Sequence, residues 1–85
     1  MSTEYNFIKI DDVIARSDHT LLLTFENGEK RIYDFKPKLA RKVFASLKNP
    51  AKFMQARNDF YGVVWDDETD IASEECYYNG TPVTD

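Results

Sequence analysis

The chain predicts an α+β domain in which antiparallel β-hairpins form a meander packed against one amphipathic helix, with short helical turns beside it. Two observations carry this expectation. Asn27-Gly28 sits between apolar runs of strand character in "LLLTFENGEKRIYDF", and after Pro37 the apolar period changes from two to about 3.6. A third, the acidic stretch "DIASEECYY", has the chemistry of a helix start.

Eighty-five residues support one core, because a chain of this size buries only roughly 60% of its unfolded surface. A single domain over residues 1–85 is therefore expected, with its core at about 8–78 and a tail at 79–85. A 42% hydrophobic composition with twelve aromatic residues and only three glycines and three prolines is that of a folded chain with an aromatic core. The first residues, "MSTEYNFIKIDD", lack a basic region followed by an apolar run, and no apolar segment approaches the about 20 residues a spanning helix needs. With Cys76 as the lone cysteine, neither an internal disulfide nor a cysteine-based zinc cluster can form, and a cytoplasmic protein is expected. The sequon "NGT" at residues 79–81 then reads as a turn.

The elements follow in order. "IDDVIARSDH" gives a strand around Val13 to Ser17 and a turn at Ser17-Asp18-His19. Asn27-Gly28 suits a two-residue type I′ loop, because both residues tolerate positive φ. Such a loop sets Leu23 opposite Ile32, Phe25 opposite Lys30, Leu22 opposite Tyr33 and Thr24 opposite Arg31. Leu21, Leu23, Phe25 and Ile32 then face the core while Thr24 and Arg31 face water. Pro37 ends the third strand. In "KLARKVFASLK" the residues Leu39, Ala40, Val43, Phe44 and Leu47 share one side of a helical wheel and Lys38, Arg41, Lys42 and Lys48 the other, predicting a helix of roughly three turns over 38–48. Asn49-Pro50 stops it and opens a second short turn, Asn49 as cap, Pro50 at the first position, Phe53 and Met54 inward. Two extended runs around Asp59 to Gly62, ending at Trp65, read as a second hairpin. Asp70 reads as the N-cap of a terminal helix or 3₁₀ turn with Glu74 and Glu75 in its first turn.

Candidate chemistry is sparse. Glu26 and Glu29 flank a turn tip, where nothing encloses them to drive their pKa values apart. His19 is the lone histidine and reads as a turn residue, and Trp65 as a core or rim aromatic. The acidic run Asp66, Asp67, Glu68 and Asp70 fails the calcium-loop pattern because Ile71 stands where the loop needs glycine. Cys76 has no base nearer than His19 in sequence, and partial burial beside Tyr77 is its simpler role. Catalytic, cofactor-binding and metal-binding residues are all expected to be absent.

Charge is sharply divided along the chain, which the net charge of −4 conceals. Residues 36–57 carry seven basic side chains and no acid, whereas residues 58–85 carry eight acids and no base. Lys38, Arg41 and Lys42 form the candidate partner-binding face, unless the acidic half folds back and neutralises it. Without a helix-turn-helix or an RNA-binding aromatic motif, an acidic chain of this kind is not expected to bind nucleic acid by itself.

The succession of Phe25, Gly28 and Glu29 (F-x-x-G-E), Phe44 and Leu47 (F-x-x-L), Trp65, and then Asp70, Glu74 and Tyr77 in "DIASEECY" resembles the bacterial DUF2442 family. Asp34 and Phe53 also match, and the resemblance runs over about residues 8–78. Cys76 stands where the family often has leucine, which argues against thiol chemistry. The resemblance implies a small α+β fold of hairpins and short helices with no established activity. Some relatives carry an attached helix-turn-helix, and the genes often lie beside another small protein, an arrangement like a toxin–antitoxin pair. These 85 residues show no helix-turn-helix signature, so direct transcriptional control is not expected. The expectation is a non-catalytic interaction or regulatory module, an antitoxin-like member of a two-gene pair, with a small protein partner. The alternative is a small ligand-binding domain or enzyme using carboxylates such as Asp34 and Asp70.

Overall fold

A computed structural model of the chain describes residues 8–65 and 69–83. Strands β1 (Ile10–Ala15), β2 (Thr20–Phe25) and β3 (Lys30–Asp34) form the expected antiparallel meander, and β7 (Thr81–Pro82) adds to the far side of β3 to give the order β1-β2-β3-β7. A second sheet, ordered β4-β5-β6, is built from Arg57–Asn58, Gly62–Val64 and Asp70–Ala72. Two 3₁₀ segments, Lys36–Ala40 and Lys42–Lys48, and the short helix α1 (Pro50–Phe53) lead from the first sheet to the second. The terminal helix α2 (Ser73–Asn79) connects β6 to β7.

The β2–β3 register differs by one residue from the type I′ expectation. Leu22 faces Ile32, Leu23 faces Arg31 and Thr24 faces Lys30. Gly28 N donates to the Phe25 carbonyl at 2.8 Å and Phe25 N to the Glu29 carbonyl at 2.9 Å, so the loop has three residues, not two. Within this loop Gly28 alone takes positive φ, at 86°. This is a type I turn closed by a left-handed glycine in a bulge, and the Asn27 side chain supports it by accepting from Glu29 N at 2.9 Å. Because side chains alternate across a strand, the slip exchanges the faces of β3. Arg31 and Tyr33 join Leu21, Leu23 and Phe25 on the inner side, and Ile32 moves to the outer side with Leu22. Arg31, expected in water, is half-buried.

The expected helix over 38–48 is instead two 3₁₀ segments with Arg41 extended between them (φ −86°, ψ 138°). Phe44 and Leu47 are buried three residues apart, the eclipsed spacing of a 3₁₀ turn, while Val43 and Ala40 face solvent. The bend at Arg41 redirects the chain so that Leu39 of the first segment packs against the same core as Phe44 and Leu47 of the second. Asn49 caps α1 as expected, accepting from Ala51 N at 3.0 Å with Pro50 at the first position, and Phe53 is buried. Met54 is half exposed rather than inward.

The Asp59–Gly62 hairpin forms, with Phe60 in the left-handed region (φ 62°) at its tip. Asp70 is not a helix cap. It pairs with Val64 in β6, so that Ile71 can enter the core, and α2 starts at Ser73 with Glu74 and Glu75 in its first turn. Within the expected tail, residues 81–82 form β7, and Val83 N donates to the Lys30 carbonyl at 2.9 Å. Asp66, Asp67 and Glu68 of the acidic run lie outside the described residues.

The core is the aromatic cluster anticipated from composition. Phe35 packs edge-on against Phe44 at 5.0 Å and at 5.4 Å against both Phe53 and Trp65, joining the first sheet to the helical segments and the second sheet. Trp65 satisfies its buried Nε1–H by donating to the Phe53 carbonyl at 2.8 Å. His19, in the left-handed region at φ 65°, donates from Nε2 to the Leu47 carbonyl at 2.8 Å and lies 4.9 Å from the Phe53 ring. It holds the β1–β2 turn to the end of the second 3₁₀ segment.

Candidate functional site

Beyond the two residues that β7 covers, Tyr33 and Asp34 of β3 face a groove of about 450 Å³ between the first 3₁₀ segment and α2. Its polar wall includes Tyr33, Lys38, Arg41, Glu75 and Asn79. Tyr33 reaches it because it lies on the inner side of β3, and Glu75 because the first turn of α2 crosses that strand. The Tyr33 hydroxyl donates to Glu75 Oε2 at 2.8 Å, and Lys38 Nζ stands 3.6 Å from the same oxygen.

This arrangement fixes protonation states. The Tyr33 hydroxyl bond, followed by the charge of Lys38, holds the Glu75 carboxyl below its ordinary range. Burial, reinforced by Glu75, pushes the Tyr33 hydroxyl strongly upward. At neutral pH the pair is therefore a neutral hydroxyl donor bound to a carboxylate, and Tyr33 is unsuited to act as a base. Arg41 extends at the rim, and its side chain has no hydrogen-bond or ion-pair partner among the described residues.

A second cluster joins α2 to the β2–β3 hairpin. Arg31 donates from Nε to Glu29 Oε2 at 2.8 Å and from Nη1 to the Tyr77 carbonyl at 2.7 Å, with its guanidinium 4.0 Å above the Tyr77 ring. Tyr77 returns a hydrogen bond from its hydroxyl to Glu29 Oε1 at 2.7 Å. Those bonds, Tyr77 first and Arg31 next, depress the Glu29 carboxyl. The cluster clamps α2 to the β2–β3 hairpin.

Of the residues proposed from sequence, Lys38 and Arg41 both line the groove, but Lys38 is partly neutralised by Glu75. Lys42 opens the second 3₁₀ segment, exposed, and is not a groove residue. The three cations do not share one helical face, because the chain bends at Arg41. Asp34 also lines the groove, where it accepts from Lys36 N at 3.0 Å and pairs with Lys36 Nζ at 3.0 Å. These contacts, the backbone bond first, lower its pKa. Asp70 is exposed on the other sheet, so the two carboxylates are not brought together. Cys76 is fully buried, and desolvation pushes its thiol up to about 12. Tyr33 and Glu75 were missed as a site pair because the register that turns Tyr33 inward depends on the loop length. Arg31 was missed for the same reason.

Among the described residues there is no cluster of three or more His, Cys, Asp or Glu placed to hold a metal ion, and no helix long and apolar enough to cross a membrane. The molecule is thus a small α+β domain of two antiparallel sheets, with a polar groove between β3 and α2 and a braced ion-pair cluster beside it. It belongs to the DUF2442 family, described as a protein of unknown function, whose profile matches residues 10–82. No curated protein and no solved structure matches the chain.

Proposed function

We propose that this domain is a non-catalytic protein-interaction module, the antitoxin-like member of a two-gene pair acting in the cytoplasm, and that its groove receives an acidic segment of a small protein partner. The observation that carries the reading is Arg41, a guanidinium at the mouth of a preformed groove whose other charges are already matched. Arginine suits this task because its planar fork accepts a carboxylate in two-point contact, and Lys42 adjoins it as a second exposed cation. The absence of a nucleophile–base pair in the groove supports a binding role over turnover, since Tyr33 is held neutral and Asp34 is paired with Lys36.

The test is association with the product of the neighbouring gene, measured at two salt concentrations beside a thermal melt. Arg41→Glu with Lys42→Glu is expected to slow association and flatten its salt dependence while the melting temperature holds, because rim charges act mainly on encounter rate. Unaltered association kinetics in the double variant sinks the proposal.

A further inference from the structure

The opposite edge of the first sheet points to a second copy of this chain. We infer that the domain forms a two-fold homodimer by antiparallel pairing of β1 with its counterpart, centred on Ile14. This edge lies across the sheet from the groove, so the inference is independent of the interaction proposed there.

Among the described residues, the bonding phase of β1 leaves the edge open beyond its first residues. Arg16 N donates to the Thr20 carbonyl at 2.9 Å, so by the alternation of an antiparallel ladder Ile14 and Asp12 turn their backbone groups toward Leu22 and Thr24. Val13 and Ala15 therefore direct their N–H and C=O groups away from β2. Among the described residues β4 of the second sheet runs beside the first residues of this strand, where Ile10 N donates to the Phe60 carbonyl at 2.6 Å and Asn58 Nδ2 donates to the Ile10 carbonyl at 2.8 Å.

The side chains on the outer face supply the register. Asp12, Ile14 and Arg16 are all exposed there, Ile14 to 50%. Neither Asp12 nor Arg16 forms an ion pair among the described residues, although Arg16 is near Asp18, whose carboxylate is already bonded by Thr20. Charges on a free edge ordinarily guard it against pairing. Here they have opposite sign at equal distance on either side of Ile14, so an antiparallel copy meets them as complements.

Two-fold pairing about Ile14 brings Val13 and Ala15 of the partner subunit into hydrogen-bonded register, which uses the outward backbone groups of both strands. It sets Asp12 opposite Arg16 of the partner subunit, twice. It also places the two Ile14 side chains in a non-hydrogen-bonded pair, the closer of the two antiparallel arrangements. Ile14, Leu22 and Ile32 already form an apolar row across the outer face, since each faces the next in register. Pairing makes that row continuous across an eight-stranded sheet, twice the four strands of one protomer. The grooves remain open at its two far ends.

Sedimentation velocity over a concentration series tests the inference, with circular dichroism melts of each variant to confirm folding. The mass is expected to rise toward twice the 9.9 kDa of one chain. Ile14→Lys sets like charges against each other and is expected to weaken association by more than about tenfold. Asp12→Arg and Arg16→Asp should each weaken it, and the two together should restore it, because the exchange preserves the pairing between chains. A mass that stays at one chain throughout overturns the inference. So does a dimer indifferent to Ile14→Lys, or one that the charge exchange fails to restore.

Discussion

Arg31 is held on two sides by the Glu29 carboxylate and the Tyr77 carbonyl and beneath by the Tyr77 ring. Its place there depends on Gly28, whose φ of 86° closes the three-residue loop and thereby sends Arg31 inward and Ile32 outward. A Cβ at Gly28 meets nothing within 4 Å, so substitution there acts through backbone strain alone. Gly28→Val is expected to cost about 1 to 3 kcal/mol, seen as a lower denaturation midpoint. An unchanged midpoint contradicts the turn. The Glu29 carboxyl offers a separate check. Its pKa is depressed chiefly by the Tyr77 hydroxyl, so Tyr77→Phe should move its titration, followed by carboxyl NMR, back toward 4.5. A depressed folded-state pKa contributes stability that is complete above the unfolded value and lost as pH falls through the folded value. The variant should accordingly lose less stability than the parent between about pH 4.5 and the acid limit. If the titration stays in place, the Tyr77 bond is not the cause.

The elements were legible in proportion to how local their signals are. The β2–β3 hairpin, the Asn49-Pro50 cap and the Glu74-Glu75 turn each arise from residues within a few positions, and all three form. Strand β7 did not announce itself, because Thr81-Pro82 lacks strand composition and pairs with β3 only when α2 delivers it there. The groove was legible in its cations Lys38 and Arg41 but not in Tyr33 and Glu75, which meet across 42 residues of sequence. The split at Arg41 was hidden for a related reason. A wheel counts apolar residues but not the core volume available to them, and Val43 finds no place in a core filled by Phe35, Phe53 and Trp65. Gly80 governs the junction between α2 and β7. A Cβ there would collide with the Cys76 carbonyl oxygen and crowd Arg31 Cβ at 3.2 Å. Gly80→Ala should therefore destabilise the domain by about 1 to 3 kcal/mol and reduce hydrogen-exchange protection at Val83, whose amide bonds the Lys30 carbonyl. Full protection at Val83 in the variant rules out this role for the glycine.

At the scale of the whole molecule, α2 is the element that ties the two sheets together, since it follows β6 of one sheet, packs against β3 of the other and continues into β7. Its buried residue Cys76 can report on that union. The thiol is fully enclosed, and burial pushes it up to about 12, so at pH 8 it is both protonated and out of reach. Labelling by a thiol reagent then requires opening. If α2 leaves only when both sheets separate, labelling should slow relative to the unfolded chain by the global unfolding constant and should accelerate with denaturant along the global slope. Phe35→Ala supplies the control, because it empties a position shared by both sheets and is expected to cost about 3 to 5 kcal/mol. It should raise the labelling rate in proportion to the stability lost. Labelling that is fast without denaturant and insensitive to Phe35→Ala means that α2 detaches by itself, and the two sheets are then held together by the aromatic cluster and by the bonds of Ile10 to Phe60 and Asn58.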